Sequence, residues 1–185
     1  MTIELGSLFV GTLVRLAAST PDDVIAWTHW FSDGEFLRQM DTDYARLRSQ
    51  REYERMLENS DGPNSVTFRI RAIEGDKLIG FIALHSIEWN NGTTLLSMGI
   101  GEADYRAKGY GTEALRLTLR YAFTELNLYR VGLNVISNNG RAIRAYEKAG
   151  FVREGVTRGQ VHRDGQRYDL IWMGILREEW ENTLR

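Results

Sequence analysis

Arg106-Ala107-Lys108-Gly109-Tyr110-Gly111-Thr112 sets two glycines among two cations at the start of a long amphipathic segment. A helix N-terminus carries unpaired N–H groups and about half a positive charge, so a phosphate docks there when the backbone can be approached closely. Gly109 and Gly111 permit that approach, which makes the stretch a candidate diphosphate cradle. The amides of Lys108 to Gly111 would carry most of the binding, each charge-assisted N–H to phosphate contributing roughly 1.5–3 kcal/mol. Arg106 and Lys108 would add long-range attraction, or serve only as solvent-facing cations.

Composition narrows whose diphosphate this is. The 185 residues suit one domain spanning 1–185, with 43% hydrophobic and 26% charged residues, ordinary for a globular protein. A net charge of -2 argues against a nucleic-acid partner held by a broad basic face. The absence of cysteine excludes disulfides, thiolate metal sites and a cysteine nucleophile. His29, His85 and His162 are scattered without ligand spacing, so no metal is expected. The five tryptophans, Trp27, Trp30, Trp89, Trp172 and Trp180, suit a core or an interface better than a cage for a cation. No apolar run approaches the roughly 18 residues of a membrane span. Met1 to Val10 lacks a basic stretch followed by a signal core, so a cytoplasmic protein without a membrane partner is the default.

Two other phosphate motifs fail. A Gly-x-Gly-x-x-Gly fingerprint would place its third glycine at Ala114, and the lead-in strand does not begin a repeated βαβ unit. Neither a phosphate loop of the Gly-x-x-x-x-Gly-Lys-Ser/Thr type nor a serine nucleophile elbow is present.

The elements that must position the cradle follow from periodicity. Residues 8–17 read as an opening strand, and Thr20-Pro21-Asp22-Asp23 as the start of a helix reaching about Trp30 and broken by Ser32-Asp33-Gly34. A charged helix is expected over about 44–59, with Leu47, Tyr53 and Leu57 as a thin apolar stripe, and a loop over 59–64. Val66 to Ile73 and Lys77 to Trp89 form a hairpin across Glu74-Gly75-Asp76, and Asn90-Asn91-Gly92 turns into a third strand over about 93–101. Gly99 and Gly101 inside that strand mark a bulge or a close backbone neighbour, or simply its end. After Gly111, Leu115, Leu119, Ala122, Phe123 and Leu126 recur at offsets 0, 4, 7, 8 and 11, one face of a helix. A strand at 129–136, a short helix at 140–149 and a hairpin of 151–162 with 166–176 across Asp164-Gly165 complete the chain. The order predicts an α/β fold of the mixed α+β kind: a central, mostly antiparallel sheet of about seven strands with helices on both faces. One parallel pair is expected where the helix crosses from the strand near Gly101 to that near Tyr129.

The cradle and the run Asn139-Gly140-Arg141-Ala142-Ile143-Arg144-Ala145-Tyr146-Glu147-Lys148-Ala149-Gly150-Phe151 together resemble the GCN5-related N-acetyltransferase (GNAT) superfamily. The resemblance is clear over about 93–176 and holds only in element order over 8–92. It is strongest toward the ribosomal-protein and spermidine N-acetyltransferases. It implies the GNAT fold and transfer of an acetyl group from acetyl-CoA, as co-substrate, directly to a primary amine. The acceptor stays open among a protein N-terminus, a polyamine, an amino acid and another small amine. A catalytically silent acyl-CoA sensor is the alternative, and a homodimer is compatible with the family.

Such a transfer has two proton problems. An amine with a pKa near 10.4 is neutral in only roughly one part in a thousand at pH 7, and a departing thiolate, pKa about 8.5, gains from a donor. The resemblance assigns Tyr146 to thiolate protonation and Asn139 to the pantetheine arm; seven residues apart, they share one helical face. A buried aromatic beside Ile143 and a plain helix cap fit the same positions. The backbone of Met98, Gly99 and Ile100 would meet the pantetheine amides, and Arg106 to Thr112 the diphosphate. No base is identifiable: Glu88, Glu102 and Asp104 are candidates, as is a water chain. Asp33 and Glu35 stand where this branch places substrate-contacting residues.

Overall fold

The computed structural model describes residues 7–59 and 61–184. Met1 to Gly6 and Ser60, read above within the leader and a loop, lie outside them. The strands are β1 (Val14–Ala17), β2 (Val66–Ala72), β3 (Leu78–Glu88), β4 (Thr93–Ile100), β5 (Arg130–Ile136), β6 (Val152–Arg163) and β7 (Gln166–Leu176). The helices are α1 (Asp23–Trp30), α2 (Gly34–Met40), α3 (Gln50–Glu58), α4 (Tyr110–Thr124), α5 (Gly140–Lys148) and α6 (Arg177–Asn182). The strands form one sheet in the order β1-β2-β3-β4-β5-β7-β6. Among the described residues only the β4–β5 pair is parallel, as its helical crossover through α4 requires.

Each sheet face buries its own apolar cluster. Leu115, Leu119, Ala122 and Phe123 of α4 sink against Ile82, Leu84 and Leu96, and α5 and α6 join the same layer through Ile143 and Trp180. The opposite face holds Trp27, Trp30, Phe31, Phe36, Tyr53 and Leu57 of the α1–α3 region over Leu78 and Phe81. Among the described residues no helix is long and apolar enough to cross a membrane.

Local chemistry moved several boundaries. Ser49 and Glu52 form a reciprocal capping box that starts α3 at Gln50, so residues 44–49 are not helical and Leu47 is exposed. Ser32-Asp33-Gly34 does break α1, but the Asp33 carboxylate accepts from the Glu35 amide at 2.9 Å and starts α2 at once. Thr20 does not cap α1. Its amide instead donates to Asp23, which is buried and ion-paired with Arg71 at 2.5 Å.

The opening strand is shorter than 8–17 because Glu113 of α4 takes its donors. One carboxylate accepts the Thr12 amide (3.0 Å), the Thr12 hydroxyl (2.7 Å), and the Leu13 and Val14 amides (2.7 and 2.8 Å). This joins the first strand to the helix that begins at the cradle. Burial pushes the Glu113 carboxyl up, and the Thr12 hydroxyl with the three amides outweighs that, leaving it below the usual carboxylate range. Glu113→Ala is expected to cost about 2 kcal/mol at neutral pH in urea unfolding, the scale for stranding a hydrogen-bonded cluster. A folded-state pKa below the unfolded value of about 4.3 makes this stabilisation complete above that value and lost as pH falls through the lower one. The gap between wild type and variant is therefore expected to close on acidification.

Candidate active site

Strands β4 and β5 pair only at Thr93–Arg130, Thr94–Val131 and Leu95–Gly132, and then part. Beyond that point Leu96–Ile100 stay paired to β3, and Leu133–Ile136 to β7. The gap opens a cleft of about 790 Å³ whose walls include both facing strand ends. Leu96, Met98 and Ile100 belong to the α4 side of the sheet, while Gly99 lies under Phe36, Met40 and Phe81 on the other. The cleft thus runs through the sheet, with residues of both faces in its lining.

The predicted cradle forms one end of this cleft. Ala107 and Gly109 have φ of 60° and 94°, so the chain coils tightly before α4 begins. No side chain caps that helix, and Gly109, Gly111 and Thr112 line the cleft, leaving its first-turn amides turned toward the cavity. A Cβ on Gly111 would stand 3.3 Å from Met98 Cε, so glycine seats the helix start close on β4. Arg106 is neither free nor solvent-facing. Its Nε donates to the Ile100 carbonyl at 2.9 Å, its Nη2 to the Gly101 carbonyl at 2.6 Å, and its guanidinium lies 5.4 Å over the Phe36 ring. Arg106 therefore fixes the loop to the end of β4. Lys108 is exposed outside the lining, and Tyr110 meets Tyr105 edge-on at 5.0 Å.

From the other wall, α5 presents Asn139 and Tyr146. The Asn139 side chain accepts the Ala142 amide at 3.1 Å as N-cap, which leaves its NH₂ group without a partner among the described residues. Tyr146 is 7% exposed and packs against Phe151 at 5.8 Å. Burial pushes its phenol up to about 12, so it stays protonated at neutral pH: a donor, never a base. Among the described residues none hydrogen-bonds this hydroxyl.

The five candidate carboxylates are not brought to this cleft. Glu88 accepts from Asn91 Nδ2 at 2.6 Å in the β3–β4 turn. Glu35 is exposed, and Asp33 and Glu102 line a separate cavity of about 370 Å³. Glu102 is held by Lys77 at 2.5 Å and Trp30 Nε1 at 2.8 Å. Burial raises its carboxyl, and these two donors outweigh that, so its affinity for a proton is below the ordinary one. Asp104 also lines the smaller cavity.

Sequence reasoning missed the cleft's remaining walls. The irregular segment 41–48 roofs one end, pinned by Arg163 Nη2 on the Asp41 and Asp43 carbonyls at 3.1 and 2.7 Å. Arg141, Arg144 and Lys148 edge the cleft from α5. Their 0, 3, 7 spacing was visible as one helical face. His85 lines it from β3, and its strand alternation with Phe81 was the available signal.

A helix-flanked sheet parted between its parallel strands, with an uncapped helix start at the opening, is an α/β fold with a cleft suited to a long phosphate-bearing ligand. Residues 14–152 match the acetyltransferase (GNAT) domain family, and the chain belongs to it. The SPbeta prophage-derived N-acetyltransferase YokL of Bacillus subtilis is 33% identical over 177 residues, covering 94% of this chain and 95% of its own. The putative ribosomal N-acetyltransferase YdaF of the same organism is 33% identical over 104 residues, 56% of each chain. The spermidine N-acetyltransferase of Vibrio cholerae, solved with CoA and spermine, superposes with a TM-score of 0.83 at 22% identity, over 93% of this chain and all of that one. The protein is an acetyl-CoA-dependent N-acetyltransferase that moves the acetyl group to a primary amine. Nothing favours the silent sensor.

Asn139→Ala is expected to cost about 1 kcal/mol in thermal or urea unfolding, as for other lost caps. Asn139→Asp, which keeps the acceptor and removes the NH₂ donor, is expected to retain the stability.

Proposed function

We propose that the chain, as one catalytic domain over 1–185, binds the acetyl-CoA diphosphate at Arg106–Thr112 and acetylates an amine carried on an apolar body, with Tyr146 as the acid. The carrying observation is that an uncapped helix start and Tyr146 line one cleft at the β4–β5 gap. The backbone of Met98, Gly99 and Ile100 would take the pantetheine amides, with the free NH₂ of Asn139 opposite. The amine attacks the thioester carbon, a C–N bond forms, the C–S bond breaks, and the Tyr146 hydroxyl supplies the sulfur with its proton. No covalent enzyme intermediate is needed. A need for acetyl-CoA is consistent with a cytoplasmic location.

The acceptor end supports the apolar choice. Phe31, Phe36, Met40, Met56 and Phe81 contribute to it, and its roof carries as many arginines, Arg46 and Arg48, as acids, Asp41 and Asp43. A long polycation would favour unmatched carboxylates. An N-terminal residue with a large apolar side chain fits this lining. Thiol release from acetyl-CoA with a phenylalanine-initiated tripeptide, phenethylamine and spermidine tests it. Faster turnover of spermidine than of the first two would overturn the apolar choice.

Tyr146→Phe is expected to keep acetyl-CoA affinity and lower kcat by about 10²-fold; an unchanged kcat removes Tyr146 from the chemistry. Gly109→Val places a β-branched residue at φ 94°, where only Leu13 lies within 4 Å of the new Cβ, at 3.4 Å. The expected result is a folded protein whose acetyl-CoA Kd by calorimetry rises by about 10- to 100-fold.

A further inference from the structure

The candidate carboxylates Asp33, Glu35, Glu88, Glu102 and Asp104 lie off the cleft, and its two acids, Asp41 and Asp43, are exposed on the roof, so the proton of the incoming ammonium needs another receiver. We propose that His85 is the general base: its imidazole takes that proton at the apex of the β4–β5 split, on the acceptor side. This rests on the acetyl-transfer reading above.

Four observations place it. His85 opposes Leu95, which in turn opposes Gly132 in the last pair before β4 and β5 part. In an antiparallel pair, opposed side chains share a face, so His85 stands one strand from the apex on the face where Phe81 underlies the α1–α3 aromatics. It lines the same cleft as Tyr146. Directly after it β3 bulges, with a register shift between His85 and Glu88 and Ser86 at φ 53°. Bulges re-aim side chains beside active sites, and a non-glycine residue in the left-handed region is held there at a cost by its surroundings.

The bulge brings Ser86 Oγ to 3.3 Å from His85 Nδ1, while Nε2 has no hydrogen-bond partner among the described residues. The backbone is fixed as well: the hydroxyl of buried Thr94 donates to the His85 carbonyl at 2.9 Å. With Nδ1 engaged by Ser86, Nε2 is the nitrogen left to receive a proton.

Electrostatics agree with the geometry. Burial alone holds the imidazole below its ordinary value, so it is neutral at pH 7. The roof contributes Asp41, Asp43, Arg46 and Arg48 to the shared cleft, and α5 contributes Arg141, Arg144, Tyr146 and Lys148. Beyond Leu95 lies the Arg130–Glu154 ion pair, over Gly132 and Gly174. None of these groups adds a shift to His85.

The proton count closes. Nε2 takes one proton from the ammonium, and the neutral nitrogen attacks. The second nitrogen proton lost on collapse balances the one given to sulfur through Tyr146, and His85 returns its proton to solvent.

The test uses the full chain, acetyl-CoA and the phenylalanine-initiated tripeptide, with kcat and KM followed against pH. The wild type is expected to lose kcat on acidification through an apparent pKa below about 6.5. His85→Gln is expected to lower kcat by about 10²-fold with KM for acetyl-CoA unchanged. That acid limb is replaced by a rate rising with hydroxide. Added imidazole is expected to restore turnover to His85→Gly, and Ser86→Ala to displace the limb without abolishing it. A His85→Gln enzyme that keeps both rate and limb overturns the assignment. So does a limb that Ser86→Ala leaves in place when the His85 variants do not fold. A wild type that releases no thiol with any amine overturns the underlying acetyl-transfer reading instead.

Discussion

Strands β4 and β5 share hydrogen bonds over three residue pairs and then separate, and the rest of the molecule depends on that separation. A central pair that stops bonding leaves N–H and C=O groups without partners, which is costly unless something supplies them. Here each strand is held from its outer side, β4 by β3 as far as Ile100 and β5 by β7 as far as Ile136. The gap is therefore a property of a rigid sheet. Its facing edges offer alternating donors and acceptors at strand spacing, which suits a long ligand with its own amides better than a compact one.

Keeping the gap open at the correct width falls to small contacts at its mouth. Arg106 joins the cradle loop to the last carbonyls of β4, and Gly111 lets α4 start against Met98. Glu113 carries the same helix onward to the first strand through four donors. On the opposite face the Trp30 ring occupies the place a Cβ on Gly101 would take, at 2.0 Å, so the glycine lets α1 settle on the end of β4. The glycines of 99–111 thus serve packing as much as conformation.

What could be read in advance follows the range of the interactions. The apolar stripe of α4, the Asp164-Gly165 turn with both φ positive, and the glycine-cation stretch are local patterns, and the sequence displays them directly. The seven-stranded mixed sheet followed from their order. The helix α2 was hidden because Asp33-Gly34 ends one helix and caps the next, two outcomes with one composition. The candidate carboxylates were placed by contacts of a different range. Whether Glu102 faces a cleft or Lys77 depends on contacts made by residues 25 and 72 positions away, which no window of sequence contains. His85 was likewise invisible as a cleft residue, since strand alternation gives its face but not where the neighbouring strands part.

One physical effect then unifies the proposed acid and base. Burial disfavours charge, and it acts on both Tyr146 and His85 in the cleft. It drives the Tyr146 phenol up to about 12 and the His85 imidazole down. Opposite shifts on an acid and a base have the same consequence, because each group rests in its neutral form, one holding a proton and the other able to take one. Charged side chains stay at the edges, on Arg141, Arg144 and Lys148 of α5 and on Asp41, Asp43, Arg46 and Arg48 of the roof. An amine entering such an interior is itself favoured as the neutral nucleophile, so the desolvation that sets the two pKa values also lowers the cost of the first proton transfer.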